Sequence, residues 1–162
     1  MKIRSCLEAK HIYVGVDLPD KDAVLRFVAE KAADSGLSVD AATLLSGFRE
    51  REMSFTTGIG LGIALPHTTS PLCEKTTLFL LRLAHPVDFD SIDDLPVDVV
   101  LAMIIPTTNP SEHLQILART ARLCKQQAFP EALRRSPDAV SLWETIRSFE
   151  KEAELAWYGG EV

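Results

Sequence analysis

The stretch that decides the fold is VDVVLAMII, residues 97–105. It is apolar at every position except Asp98, which is typical of a β-strand covered on both faces. Such a strand needs helices packed on both sides of its sheet. The chain around it should therefore alternate between strands and helices.

Further strands and helices are predicted on either side of this segment. Apolar and β-branched runs predict strands at residues 12–16, 63–65 and 77–83. Helical spacing with capping residues predicts four helices: from Asp20 to Gly36, from Ser38 through residues 49–52, from Asn109 to Cys124, and from Ser136 onward. The interleaving predicts an α/β fold with a central sheet flanked by helices.

Length and composition predict one domain with its own core. The 162 residues are 46% hydrophobic and carry a net charge of −6. We expect a domain core over about residues 10–150 and an acidic tail over 150–162. The charge and the lack of a basic stripe argue against nucleic acid as a partner. With no apolar run of about 20 residues, no signal-like segment and three scattered cysteines, we expect no membrane insertion and a reduced, cytoplasmic protein.

Two histidines are the candidates for chemistry. His67 follows the predicted strand 63–65, and His113 follows the strand 97–105 by one short turn. If those strands are neighbours, the two imidazoles meet at one sheet edge. Their spacing is not that of a metal pair, and no third ligand is close in sequence, so we expect no metal and no cofactor. Taken alone, each is equally well explained as a structural histidine.

A neutral histidine is a natural nucleophile towards phosphorus, because its free ring nitrogen needs no activating base. The phosphoryl oxygens would need donors placed in advance. Arg51 offers a planar fork, and His113 lies at the positive end of a helix. The glycine-rich residues 56–62 could bring backbone amides to an anion. Their G-x-G-x-G pattern precedes a strand, so it does not fit a dinucleotide-binding motif.

Residues 51–67, REMSFTTGIGLGIALPH, resemble the signature of the enzyme IIA family of the phosphotransferase system, fructose/mannitol class, and most of all its nitrogen-regulatory branch. Residues 89–93 followed by 96–98 resemble a second family stretch, FDxID and PVD. The likeness spans about residues 10–150. It implies a mixed sheet flanked by helices. Two positions depart from the family pattern, Leu61 and Thr68.

The resemblance implies a role for each matching residue. His67 would be the phosphoryl acceptor, supported by Arg51 and His113. We further expect a phosphate-supporting loop of Thr57, Gly58, Gly60 and Gly62, and an apolar docking surface around His67 formed by Ile59, Leu61 and Leu65. The donor would be an HPr-like phosphocarrier, and the chain would be a carrier component rather than an enzyme that turns over a substrate.

Three functions remain open from the sequence. The chain could signal to regulatory target proteins through its phosphorylation state, or pass phosphate to a separate IIB domain; its length leaves no room for an attached one. It could also be an interaction module that keeps the fold without phosphorylation. A hydrolase with His67 as general base is the weakest alternative, since no nucleophile or oxyanion donor is recognisable.

Overall fold

The protein consists of a mixed six-stranded sheet with helices on both faces. The structure is a computed structural model that describes residues 2–158. The strands are β1 (Ile12–Val16), β2 (Gly58–Gly60), β3 (Ile63–Ala64), β4 (His67–Ser70), β5 (Thr77–Val87) and β6 (Val97–Pro106). The helices are α1 (Ile3–Cys6), α2 (Lys21–Asp34), α3 (Ala41–Ser54), α4 (Pro110–Cys124), α5 (Ala128–Arg135) and α6 (Ala139–Tyr158). The predicted α/β class and flanked sheet are confirmed.

Strand β6 is the centre of the sheet. The strand order is β1-β5-β6-β3-β2, with β5 antiparallel to β6. Both β3 and β4 run parallel to β6 on its other side, one after the other: Ile63 pairs with Val99, and His67 pairs with Met103. The two short strands thus form one interrupted strand, and Pro66 lies at the break.

The alternating side chains of β6 supply both cores of the domain. Val100, Ala102 and Ile104 pack on the face covered by α2 and α3. The residues between them pack on the opposite face, with α1, α4, α5 and α6: Val99, Leu101, Met103 and Ile105. This arrangement explains why the strand is apolar almost throughout, and it confirms the inference from residues 97–105.

The helix starts follow local capping chemistry. The carboxylate of Asp20 accepts from the amide of Ala23 at 2.8 Å, as predicted for the start of α2. The expectation that α3 begins at Ser38 is wrong. Its first residue is Ala41, because the Asp40 carboxylate caps the helix by accepting from the amide of Thr43 at 2.7 Å.

The segment expected as an acidic tail, which starts at Glu150, is helical over the described residues. Helix α6 continues to Tyr158, and Glu150 is fully buried within it. Its carboxylate accepts from the backbone amide of Ile3 at 2.5 Å and from the guanidinium of Arg4 at 2.8 Å. This ion pair offsets the acidic charge and attaches α1, a helix that the sequence pattern did not predict. Residues 159–162 of the expected tail lie outside the described residues.

Two further differences concern the segment before His67. Gly58 and Gly60 belong to a strand, β2, rather than to a loop, and this strand pairs with β3 in a hairpin. His67 does not end the strand 63–65 but begins β4, because Pro66 interrupts the pairing. Helix α5 was not predicted either. Among residues 2–158, none of the helices is long and apolar enough to cross a membrane.

Candidate functional site

The sheet edge at β4 brings His67 and His113 together. His67 begins β4 beside the second half of β6, and α4 starts four residues after β6 ends. His113 lies in the first turns of α4, where its amide bonds to the carbonyl of Asn109 at 3.2 Å. The two imidazole rings are 5.8 Å apart between centroids and nearly perpendicular. The expectation that neighbouring strands would bring these histidines together is confirmed by this geometry.

Arg51 approaches the same imidazole from the last turn of α3. Its Nε lies 3.0 Å from Nε2 of His67, and Nδ1 of His67 lies 2.9 Å from the carbonyl oxygen of Leu65. A guanidinium can only donate and a carbonyl can only accept. Both contacts therefore require the same tautomer, with the proton on Nδ1 and the free electron pair on Nε2.

Burial keeps His67 neutral. The residue is 8% exposed, and desolvation lowers the pKa of its imidazole below the usual value of about 6.5. The hydrogen bond to Leu65 and the charge of Glu52 oppose this shift, while Arg51 and His113 add to it. Burial also lowers the pKa of His113, and the Arg51 charge contributes in the same direction. Both rings are therefore held in the uncharged form near neutral pH.

These side chains line a cleft of about 1010 Å³ between α3, β4 and α4. Hydroxyl groups lie along its walls, from Ser46 and Ser54 on α3 and from Thr68, Thr69 and Ser70 on β4. Thr68 fits because α3 has a glycine opposite it: a Cβ on Gly47 would overlap the Thr68 hydroxyl. The Arg51 guanidinium, the His113 imidazole and several hydroxyls supply donors to this cleft, and they suit a phosphate-sized anion next to the Nε2 electron pair of His67.

The glycine stretch is not part of this cleft. Gly62 bonds to β6 at Asp98, and Pro66 bonds to it at Met103. At ~3.3 Å per residue, those positions are roughly 16 Å apart along the strand. The glycines instead pack against other segments: Gly58 against Ser91, Gly60 against Asp93, and Gly62 against Arg134 and Asp98. None of Gly58, Gly60 and Gly62 is among the residues that line the cleft with His67.

Thr57, like the glycines, contacts another part of the protein rather than the cleft. Its backbone amide donates to the Glu52 carboxylate at 3.2 Å, and its hydroxyl donates to the same group. The amide expected to face a phosphate is therefore already bonded. Glu52 is the residue near the site that sequence reasoning missed, although it directly follows Arg51 in the family signature.

The three expected docking residues do not form one surface near His67. Leu65 is only 4% exposed and packs in the core, so it offers no surface to a partner. Ile59 is half-buried against the same core, and Leu61 is exposed at the hairpin turn with a left-handed φ of 57°. The exposed apolar side chains closest in sequence to the site residues are Met53, Phe55 and Leu114.

No group of three or more His, Cys, Asp and Glu residues arranged to hold a metal ion is found within residues 2–158. The cleft residues Arg51, His67 and His113 do not form such a group, because a guanidinium is not a metal ligand. The arrangement is suited to an anion rather than to a divalent cation.

Comparison with known proteins places the chain in a family. A family model described as "Phosphoenolpyruvate-dependent sugar phosphotransferase system, EIIA 2" matches residues 5–149. The chain belongs to this family, as the signature at residues 51–67 implied. It is 33% identical over 146 residues to a nitrogen regulatory protein of Bradyrhizobium diazoefficiens, a match that covers 90% of this chain and 95% of that protein.

Solved structures share the fold. The nitrogen regulatory protein IIA-Ntr of Neisseria meningitidis superposes with a TM-score of 0.84 at 24% identity, covering 89% of this chain and 98% of that one. The mannitol IIA of Escherichia coli, solved in complex with phosphorylated IIB, has a TM-score of 0.74 at 20% identity, covering 88% of this chain and 99% of that one. The fold is thus common to a regulatory and a mannitol-specific protein.

Proposed function

We propose that the chain is a phosphocarrier that accepts a phosphoryl group on Nε2 of His67 from a histidine-phosphorylated HPr-like protein. The observation that carries this proposal is the tautomer of His67. The ring nitrogen with the free electron pair is the one that faces Arg51 and the cleft, while the other is held by the Leu65 carbonyl.

In the transfer step, the electron pair of Nε2 attacks phosphorus as the P–N bond of the donor histidine breaks. The electron pair of that broken bond returns to the ring of the donor. The His67 ring gains positive charge, which the Leu65 carbonyl stabilises through the Nδ1 proton. As phosphorus approaches, Arg51 turns its N–H groups from the ring nitrogen to the phosphoryl oxygens, which frees the Nε2 electron pair for the attack, and His113 adds a neutral donor beside them.

Phosphorylation places about two negative charges on the phosphoryl oxygens at the mouth of the cleft and one positive charge on the ring, a net gain of about one negative charge. We propose that partners distinguish the phosphorylated form from the free form by this charge, with regulatory target proteins as the readers. The relationship to a nitrogen regulatory protein supports this reading. Transfer to a separate IIB domain is the second candidate, supported by the sugar phosphotransferase family and by the mannitol IIA complex with phosphorylated IIB.

The proposal is tested by incubating the protein with phosphoenolpyruvate, enzyme I and HPr, followed by mass measurement under alkaline conditions. We expect one phosphoryl group per chain, lost in His67→Ala and retained in His85→Ala, whose histidine is exposed on β5. Retention of the group in His67→Ala would refute the assignment. Adding a IIB domain then separates the two candidates, since rapid loss of the phosphoryl group to it would favour the second.

A further inference from the structure

Glu52 is a buried carboxylate in the last turn of α3 with three donors around it. Its side chain is 6% exposed, and Nζ of Lys21 lies 2.7 Å from Oε2. The amide and the hydroxyl of Thr57 supply the other two bonds. A buried carboxylate is tolerated only when it is paired and hydrogen-bonded in this way. The group therefore ties together the start of α2, the end of α3 and the approach to β2.

From Thr57 the contacts continue to the imidazole. The carbonyl oxygen of Thr57 accepts from the amide of Leu65 at 2.9 Å. The carbonyl oxygen of Leu65 in turn accepts from Nδ1 of His67 at 2.9 Å. One residue, Thr57 and then Leu65, thus separates each hydrogen bond from the next, and the series begins at Glu52. Its last bond is the one that selects the tautomer of His67.

Glu52 also acts on the other side of the ring. It is the neighbour of Arg51 in α3, so the ion pair with Lys21 holds the helix turn from which the guanidinium reaches Nε2. The amide of Phe55 closes this turn on the carbonyl of Arg51 at 3.4 Å. The same carboxylate therefore supports both contacts of the imidazole, the acceptor at Nδ1 and the donor at Nε2.

We propose that Glu52 is a positioning residue for phosphoryl transfer, which fixes the tautomer of His67 and the position of Arg51 through Thr57 and Lys21. This inference rests on the proposed function. It assigns a role to the threonine of the T-G-I-G signature, whose amide does not reach the cleft. The ion pair and hydrogen bonds of Glu52 set the geometry of the two reacting groups.

The test compares Glu52→Gln with Asp98→Asn. Both variants remove one carboxylate charge from an ion pair, and Asp98 pairs with Arg134 at 2.8 Å on the far part of β6. Two quantities are measured: the rate of phosphoryl uptake from HPr, and the protonated ring nitrogen of His67 by ¹⁵N NMR. In Glu52→Gln we expect uptake slower by about tenfold and a loss of the pure Nδ1–H tautomer. Asp98→Asn should match the unmodified protein in both.

Thr57→Val is the second variant, in case Glu52→Gln fails to fold. It removes the hydroxyl bond to Glu52 while keeping the shape of the side chain and the backbone amide. The same mixed tautomers are expected, with a smaller effect on uptake. An unchanged tautomer in both variants, or in Thr57→Val alone if Glu52→Gln is unfolded, would overturn the inference. If the tautomer shifts but the unmodified protein takes up no phosphate, Glu52 still fixes the tautomer of His67, while the proposed function and the role of Glu52 in transfer both fall.

Discussion

The Nε–H group of Arg51 donates to Nε2 of His67 across 3.0 Å, although 16 residues separate them in sequence. This bond shows that Nε2 carries the free electron pair, because the other nitrogen already donates to the Leu65 carbonyl. It also places a permanent cation beside the atom on which negative charge would arrive. Substitution of Arg51 tests both its effect on the His67 ring and its role as a cation beside the phosphoryl group.

Arg51→Gln should slow phosphoryl uptake by about 10²-fold, the usual cost of removing one donor that stabilises a developing charge. The pKa of His67 should rise, because the Arg51 charge is one of the causes that lower it. Uptake assays and NMR titration measure the two effects. Arg49→Gln is the matched control, since Arg49 pairs with Asp22 at 2.7 Å and does not line the cleft. Equal uptake by Arg51→Gln and Arg49→Gln would remove Arg51 from the site.

The pH dependence of uptake should reflect a neutral nucleophile. Burial lowers the pKa of His67, so the ring stays neutral at pH values where a free imidazole is half protonated. We expect the rate to fall only below the usual pKa of about 6.5. The profile is measured with HPr kept fully phosphorylated at each pH. A midpoint at or above that value, assigned to His67 by NMR, would contradict the burial argument.

Buried His11 should make the fold sensitive to acid. Its ring is stacked on Phe79 at 4.5 Å between centroids, and burial lowers the pKa of the ring. The unfolded chain therefore binds protons more readily than the folded one. The unfolding free energy should fall as pH drops through about 6.5 towards the lower pKa of the folded state. Urea titrations measure this fall, which should be smaller in His11→Leu. An equal fall in both proteins would exclude His11 as a cause.

The Glu150 carboxylate should matter for stability rather than for chemistry. It is fully buried and accepts hydrogen bonds from the amide of Ile3 and from the Arg4 guanidinium. Glu150→Ala should lower the unfolding free energy by about 3 kcal/mol, because it leaves a charge and an amide without their acceptor. Glu152→Ala, two residues along the same helix and exposed, is the control. A loss no larger than that of the control would mean that α1 contributes little to the fold.

The fold followed from the sequence wherever hydrophobic pattern and capping chemistry act locally. Strand β6 and helix α4 were predicted because residues 97–105 are apolar and Asn109 begins a capped helix. Helix α1 was not, because only four residues form it and its acceptor is Glu150, far along the chain. The burial of Glu150 could not be predicted for the same reason, since its partner Arg4 reaches it only in the folded protein.

The candidate site was predicted in part. Arg51, His67 and His113 were singled out from residue chemistry and the family signature, and the structure brings them together. The glycines are predicted at the site because their backbone amides could face an anion, and Leu65 because an apolar surface is expected around His67. In the structure, the pairing of β3 and β4 with β6 places the glycines further along the sheet from His67 and buries Leu65 in the core. The pairing of these strands with β6 cannot be predicted from the spacing of residues in the sequence.

The central claim is that Nε2 of His67 accepts the phosphoryl group. The most direct test is NMR of the protein labelled with ¹⁵N in histidine and phosphorylated by phosphoenolpyruvate, enzyme I and HPr. We predict a ³¹P–¹⁵N coupling to Nε2 of His67, with the proton still on Nδ1 beside the Leu65 carbonyl. Coupling to Nδ1 of His67, or to any nitrogen of His113, would contradict the account.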